Sequence, residues 1–153
     1  MISPRFEEFH RTDRFVAPWG RTVTETDVME YAGISGDFAS LHCDEEFSKK
    51  TQFGTRLAHG PLTAAIGLGL QERSGVFKNA LVFLEETHRF VAPVRLGDTL
   101  YSEMAVVETV ETRRPDRGVV KFANTVTNQE KKVVLQAEYT MMYLREAAGH
   151  DTR

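Results

Sequence analysis

A carboxylate and an imidazole lie five residues apart in a short segment between two predicted helices. The segment covers residues 36–42 and carries Asp37 and His42. An acid and a base held close together can position one water molecule and pass its proton in both directions. Histidine suits this exchange because it titrates near neutral pH. The alternative is that Asp37 only satisfies loop amides and His42 only fills a half-buried position.

A glycine at the start of the third predicted helix is the second chemical feature. Residues 57–61 end in Gly60 and Pro61, and proline is favoured at a first helical position. The free amide groups at a helix N-terminus can stabilise a developing oxyanion, and Gly60 would let a carbonyl group approach the backbone closely. The alternative is that Gly60 only begins the helix and His59 is a core or capping residue.

Metal and thiol chemistry are less consistent with the same region. His42, Cys43, Asp44 and His59 do not have the spacing of a metal-ligand motif, and neighbouring residues rarely converge on one ion. Cys43 is next to the acid Asp44, which disfavours a reactive thiolate. We expect no metal site and no cysteine nucleophile.

The first half of the chain has helical periodicity. Thr24 and Asp27 form a capping-box pattern, and Gly36 marks the end of the helix that follows. Asp44 is placed to cap a short helix over residues 45–50. The third helix carries Leu62, Ile66 and Leu70 on one face and ends before Gly75. Gly67 and Gly69 should weaken that helix, which suggests that it packs closely against a wide surface.

The second half changes to the alternation of strands. Two strand-like runs cover residues 81–84 and 88–92, and three longer runs follow, separated by turns near residues 93–98, 115–118 and 128–130. Residues 133–143 form the longest alternating run. Helices followed by antiparallel strands predict an α+β domain whose sheet is covered by the apolar helix. The exposed strand edges of such a sheet favour pairing with a second copy of the chain.

Composition indicates one globular domain over residues 1–153, with a core at about 15–145 and polar tails at both ends. The net charge of −3 excludes a strong nucleic-acid footprint. The single cysteine excludes an internal disulfide and fits a reducing compartment. The sequence shows neither a secretory signal nor a stretch long enough to cross a membrane, so we expect a cytoplasmic protein.

These segments together resemble the MaoC-like dehydratases, the (R)-specific enoyl-CoA hydratases of the hotdog superfamily. The similarity covers roughly residues 15–145 and includes the spacing between the Asp/His segment and the Ala-His-Gly sequence that ends at Gly60. The matching segments are residues 20–27, 31–37, 41–44, 47, 51–54, 57–60, 89–94 and 97–100.

The resemblance implies a hotdog fold, in which a curved antiparallel sheet wraps around a long central helix, and a homodimer or higher homo-oligomer. It implies a lyase of fatty acid metabolism that interconverts a trans-2-enoyl thioester and its (R)-3-hydroxyacyl form. Asp37 and His42 would activate the water, and the amide of Gly60 would polarise the thioester carbonyl. No cofactor is implied, because CoA or pantetheine arrives as part of the substrate. Ser40, His59 and Arg89 are weaker candidates for substrate contacts.

One departure from the family pattern keeps other functions open. Ala39 and Ser40 stand where the family usually has Asn-Pro between the acid and the base. A hotdog thioesterase and a non-catalytic acyl-CoA-binding subunit are the alternatives. The sequence does not determine acyl chain length, the choice between CoA and acyl carrier protein, or the direction of the reaction.

Overall fold

Four long strands and two short ones form one antiparallel sheet in the computed structural model, which describes residues 4–146. The strands are β1 (Arg14–Val16), β2 (Arg21–Thr22), β3 (Ala80–Phe90), β4 (Thr99–Glu111), β5 (Arg117–Thr127) and β6 (Val133–Leu144). Their order across the sheet is β1-β4-β5-β6-β3, and β2 pairs with the beginning of β4. The α+β prediction is confirmed.

A short 3₁₀ helix and four α-helices precede the long strands. They are the 3₁₀ helix Phe6–Glu8, α1 (Glu25–Ser35), α2 (Ser40–Cys43), α3 (Glu45–Ser48) and α4 (Gly60–Glu72). Helix α1 begins with the predicted capping box, since the Thr24 side chain accepts from the Asp27 amide and Asp27 accepts from the Thr24 amide. It ends at Gly36 in the left-handed conformation, with φ of 78°. Asp44 caps α3 as predicted.

Helix α4 packs on the inner face of the sheet. Leu62, Ile66 and Leu70 are buried there, as the helical spacing predicts. A Cβ atom on Gly67 would lie 2.6 Å from a methyl group of Val126, so this glycine allows close contact between helix and sheet. Gly69 has no atom within 4 Å of the same position, so close packing explains only one of the two glycines.

A chain of buried polar side chains joins the end of α4 to three strands. The amide nitrogen of Gln71 donates to Ser102 Oγ at 3.0 Å, and that hydroxyl donates to Asn124 Oδ1 at 2.8 Å. The amide nitrogen of Asn124 in turn donates to the Tyr139 hydroxyl at 3.5 Å. All four residues are buried, so this network fixes the helix against β4, β5 and β6.

The core begins earlier in the chain than the sequence suggests. Phe6 and Phe9 are both buried, and the ring of Phe9 packs against Phe122 and Tyr143. A Cβ atom on Gly118 would lie 2.2 Å from the Phe6 ring, so this aromatic side chain rests directly on the β5 backbone. The N-terminal tail is therefore not uniformly polar, whereas most of the predicted C-terminal tail lies outside the described residues.

Three local predictions differ from the structure. The two runs predicted at residues 81–84 and 88–92 lie on one strand, β3, which has irregular pairing near Phe83 and Glu85 and ends at Phe90. Strands β1 and β2 are too short to produce a readable alternation. His42 lies on the short helix α2 and not in an irregular loop.

Within residues 4–146, no helix combines the length and the hydropathy needed to cross a lipid bilayer.

Candidate active site

The carboxylate of Asp37 is held at the exposed end of α1. Gly36 turns the chain out of the helix, and the Asp37 amide then donates to Ser35 Oγ at 3.2 Å. Asp37 Oδ1 accepts from the Ala39 amide at 3.2 Å, which is the local turn that short acidic side chains commonly form. The alternative role of Asp37, satisfying a loop amide, is thus present. It uses one oxygen, and the side chain remains open to solvent.

The imidazole of His42 is anchored by the main chain that precedes α4. Its Nδ1 lies 2.8 Å from the carbonyl oxygen of Leu57. A carbonyl oxygen can only accept, so Nδ1 carries the proton in this bond. In the neutral ring, Nε2 then keeps its lone pair. The half-buried His42 is therefore oriented with one nitrogen fixed and the other available as a base.

A second imidazole lies beneath the first. His59 is fully buried, and its ring stacks on His42 with centroids 3.9 Å apart and planes inclined by 30°. The ring of Tyr31 also packs against His59, at 4.8 Å between ring centroids. His59 Nε2 donates to the Asp37 carbonyl oxygen at 2.9 Å. With no exposed surface, His59 has little means of touching a substrate, and the structure does not favour its candidacy as a substrate contact.

These three side chains form one cluster. A carboxylate oxygen of Asp37 and one nitrogen each of His42 and His59 lie within 4.8 Å of one another. A tetrahedral water with two hydrogen bonds of about 2.8 Å spans roughly 4.6 Å, so one water can bridge two groups at the upper end of this range.

The first residue of α4 faces an apolar cavity. The cavity has a volume of about 370 Å³ and is lined by Phe53, Leu57, Ala58, Gly60, Thr63, Phe90, Val91, Ala92, Pro93, Val94 and Val134. A Cβ atom on Gly60 would lie 3.1–3.2 Å from the ring of Phe90, which is tighter than ordinary contact. Glycine therefore keeps space open between the helix N-terminus and this ring. The opening amides of a helix have no intrahelical acceptor.

The remaining substrate-contact candidates lie in different surroundings. Ser40 is exposed at the first position of α2, close in sequence to both members of the pair. Arg89 pairs with Gln136, whereas its neighbour Phe90 pairs with Leu135. Since successive strand residues point to opposite faces, Arg89 lies on the outer face of the sheet, away from Gly60 in the same chain. The structure therefore gives no support to Arg89 as a contact in this site.

An ion-pair cluster that the sequence did not suggest holds the surrounding helices together. Arg56 donates to both carboxylate oxygens of Glu25, at 2.8 and 2.5 Å, and to Glu45 at 3.2 Å. The hydrogen bond from Arg56 lowers the pKa of the Glu25 carboxyl below its ordinary value. For Glu45, burial acts to raise the pKa, but hydrogen bonds from Arg56 and Thr55 outweigh it and the net shift is downward. The cluster ties α1 and α3 to the residue before Leu57.

Comparisons with known proteins identify the family. Residues 10–130 match the family profile described as MaoC like domain. A relative from Rhodospirillum rubrum named (R)-specific enoyl-CoA hydratase is 33% identical over 131 residues, which cover 82% of this chain and 83% of that protein. A solved structure from Archaeoglobus, titled monoamine oxidase regulatory protein, is 33% identical with a TM-score of 0.87 and covers 94% of this chain and 96% of that one.

The fold itself has a further match. A Mycobacterium tuberculosis protein described as having a double hotdog fold superposes with a TM-score of 0.85 at 21% identity, covering 96% of this chain and 46% of that one. At this identity the similarity concerns the fold alone. The hotdog architecture expected from the sequence is confirmed.

Proposed function

The chain belongs to the MaoC-like domain family, and we propose that it is a lyase that interconverts a trans-2-enoyl thioester and its (R)-3-hydroxyacyl form. The general class, a hydratase/dehydratase, follows from the family and from the R. rubrum relative. The observation that carries the finer proposal is the approach of the Asp37 carboxylate to the His42 imidazole, within 4.8 Å between one oxygen and one ring nitrogen, a separation that one water can bridge.

His42 is proposed as the base and Asp37 as the group that orients the water. With Nδ1 committed to Leu57, the free Nε2 of His42 can take a proton from a water held by the carboxylate. The water oxygen bonds to C3 of the enoyl group, and the C2–C3 π electrons move towards the thioester carbonyl. The proton taken from water is then delivered to C2. Every atom of the water ends in the 3-hydroxyacyl product, and dehydration is the reverse sequence.

The N-terminus of α4 is proposed to stabilise the enolate formed between these two steps. Negative charge develops on the thioester oxygen when C3 is attacked, and backbone amides at a helix N-terminus are suited to receive it. A donor of this kind typically contributes about 3 kcal/mol to stabilising a transition state. The half-exposed Gly60 supports this role because it admits a carbonyl group where a larger residue would meet Phe90.

The apolar cavity beside Gly60 is proposed to hold the acyl chain. Its lining is aromatic and aliphatic, apart from Thr63, and it begins where the thioester carbonyl would sit. The substrate would bring its own CoA or pantetheine arm. Neither a metal nor a further cofactor is needed in this mechanism.

We also propose that the protein is a homodimer or a higher homo-oligomer. Strand β3 pairs with β6 on one side only among the described strands, and it exposes Leu81, Val82 and Leu84. An unpaired apolar edge of this length favours association with another strand. Size-exclusion chromatography with light scattering tests this directly. A Leu84→Lys variant should shift the mass towards that of one chain, while Val107→Lys, at an exposed position on β4, should not.

The catalytic proposal is tested with a panel of trans-2-enoyl-CoA substrates of increasing length and branching, with matching acyl carrier protein thioesters. Hydration removes the enoyl absorbance without releasing a thiol, so both signals are followed together. Loss of absorbance with no thiol release is the expected result. Release of thiol would indicate a thioesterase instead, and binding without any turnover would indicate a non-catalytic acyl-CoA subunit.

A further inference from the structure

We propose that His59 is a positioning residue that sets the separation between Asp37 and His42. This inference rests on the proposed function, because it concerns the same pair. His59 reaches Asp37 through the hydrogen bond from Nε2 to the main-chain carbonyl and reaches His42 through ring stacking. It thus contacts both members of the pair while remaining fully buried itself.

Asp37 and His42 come from different parts of the chain, so a third segment must contact both to hold them at a fixed separation. Asp37 follows α1, whereas His42 lies on α2, with residues 38–41 between them. That third segment is the stretch of chain directly before α4. Leu57 holds the ring of His42 through its carbonyl oxygen, and His59, two residues later, holds the backbone of Asp37 through its ring. Gly60, the proposed oxyanion donor, follows immediately.

The hydrogen bond between His59 and the Asp37 carbonyl determines which ring nitrogen of His59 carries the proton. The carbonyl oxygen of Asp37 can only accept, so Nε2 of His59 carries the proton. Its Nδ1 is buried and has no hydrogen-bond partner among the described residues. The two neighbouring histidines are therefore held in opposite tautomers, with Nδ1–H on His42 and Nε2–H on His59.

The kinetic test compares two substitutions at this position. His59→Leu fills the buried site with an apolar side chain and removes the hydrogen-bond donor. His59→Gln instead supplies an amide N–H that can reach the Asp37 carbonyl. A displacement of about 1 Å in a catalytic group can lower turnover about 100-fold. We expect a loss of that order in kcat for His59→Leu, little change in KM, and substantial recovery of kcat in His59→Gln.

Gln71→Leu is the matched control. Gln71 is also fully buried, and its substitution also removes a side-chain hydrogen bond. It lies at the other end of α4, so its loss should lower the melting temperature without lowering kcat. If His59→Leu lowers the melting temperature in the same way and leaves kcat unchanged, or if His59→Gln loses as much kcat as His59→Leu, the positioning role is wrong.

A second measurement is independent of activity and of how well the Leu variant folds. Long-range proton–nitrogen NMR spectra of the unmodified protein at about pH 8 report the tautomer of each neutral imidazole. We expect Nδ1–H for His42 and Nε2–H for His59. The opposite tautomer at His59 would overturn the proposal even in an active enzyme. A wild-type protein without hydratase activity but with the expected tautomers would overturn the proposed function and leave the positioning of the two groups supported.

Discussion

The ring of His42 and the carbonyl of Leu57 are joined by a hydrogen bond of 2.8 Å that crosses from α2 to the segment before α4. This bond fixes both the orientation of the imidazole and the nitrogen that remains free to accept a proton. One nitrogen of this ring lies within 4.8 Å of a carboxylate oxygen of Asp37. The bond is therefore the geometric basis for assigning the base to His42 and the water-orienting role to Asp37.

Substitution of either member of the pair should reduce hydration strongly. General acid–base groups typically contribute about 10²- to 10⁴-fold to a rate. We expect Asp37→Asn and His42→Ala each to lower kcat/KM within that range while the melting temperature stays close to that of the unmodified protein. Cys43→Ser is the control, since this half-buried neighbour of His42 has no proposed part in the reaction. Full activity in both pair variants would exclude the catalytic assignment.

A methyl group on Gly60 should impair the site through Phe90. The added Cβ would lie 3.1–3.2 Å from the ring, so either the ring or the helix N-terminus must move. We expect kcat/KM to fall roughly tenfold in Gly60→Ala, because small displacements at the reacting carbonyl are costly. Adding Phe90→Leu should relieve the contact and restore part of the loss. Steady-state kinetics of the single and double variants checks this, and an unaffected Gly60→Ala enzyme would show that the close approach is unnecessary.

The two interior glycines of α4 should respond in opposite directions to alanine. Gly67→Ala places a methyl group 2.6 Å from Val126, and overpacking of this kind costs about 1–3 kcal/mol. Gly69 is exposed with no neighbour in reach, so Gly69→Ala should gain about 1 kcal/mol from helix propensity alone. Urea unfolding of the two variants measures both changes. Equal effects of the same sign would contradict the close contact between α4 and β5.

The Arg56 cluster should make stability depend on pH in the acid range. The pKa of Glu25 and the pKa of Glu45 are both lowered in the folded protein from an ordinary value of 4.5. A lowered carboxyl pKa contributes stability that is present above the unfolded-state pKa and is lost as pH falls through the folded-state pKa. We therefore expect Arg56→Met to lower the melting temperature at about pH 7, with the difference from the unmodified protein shrinking below about pH 4.5.

Lys121→Met provides the comparison for Arg56→Met. Lys121 pairs with Glu108 at 2.8 Å, but both side chains are nearly half exposed, at 46% and 49%. Exposed ion pairs contribute little to stability, so this variant should lower the melting temperature less than Arg56→Met, whose side chain is only 15% exposed and bonds to two carboxylates. A difference for Arg56→Met that stays constant down to strongly acidic pH would instead assign its effect to packing of the aliphatic part of the side chain.

The parts of the fold that could be predicted from sequence depend on contacts between near neighbours. The capping of α1 by Thr24 and Asp27 and the buried stripe on α4 each lie within one helix, so spacing alone identifies them. Strands β1 and β2, with three and two residues, are formed by pairing with β4 and leave no periodic pattern of their own. Their existence depends on partner residues 77 to 91 positions away in the chain.

The candidate site also combines features that the sequence predicts with features that depend on tertiary contacts. The nearness of Asp37 and His42 follows from their spacing, and Gly60 is marked by the proline that follows it. The ring of Phe90 reaches Gly60 across 30 residues of sequence, and the burial of His59 depends on Tyr31 from another helix. Contacts of this kind are set by tertiary packing. The face on which Arg89 lies likewise depends on the register of β3 with β6, which spacing alone did not determine.

The polar chain from Gln71 to Tyr139 also has a consequence for which fold the sequence can adopt. If β5 slipped by two residues against β4, its side chains would stay on the same faces of the sheet, but Asn124 would move away from Ser102 and the link from Gln71 would end at β4. An apolar core would tolerate such a slip more easily, because leucine and valine contacts are interchangeable. A buried amide left without a partner costs about 1–3 kcal/mol. The network thus discriminates against misregistered sheets, in addition to holding the correct one together.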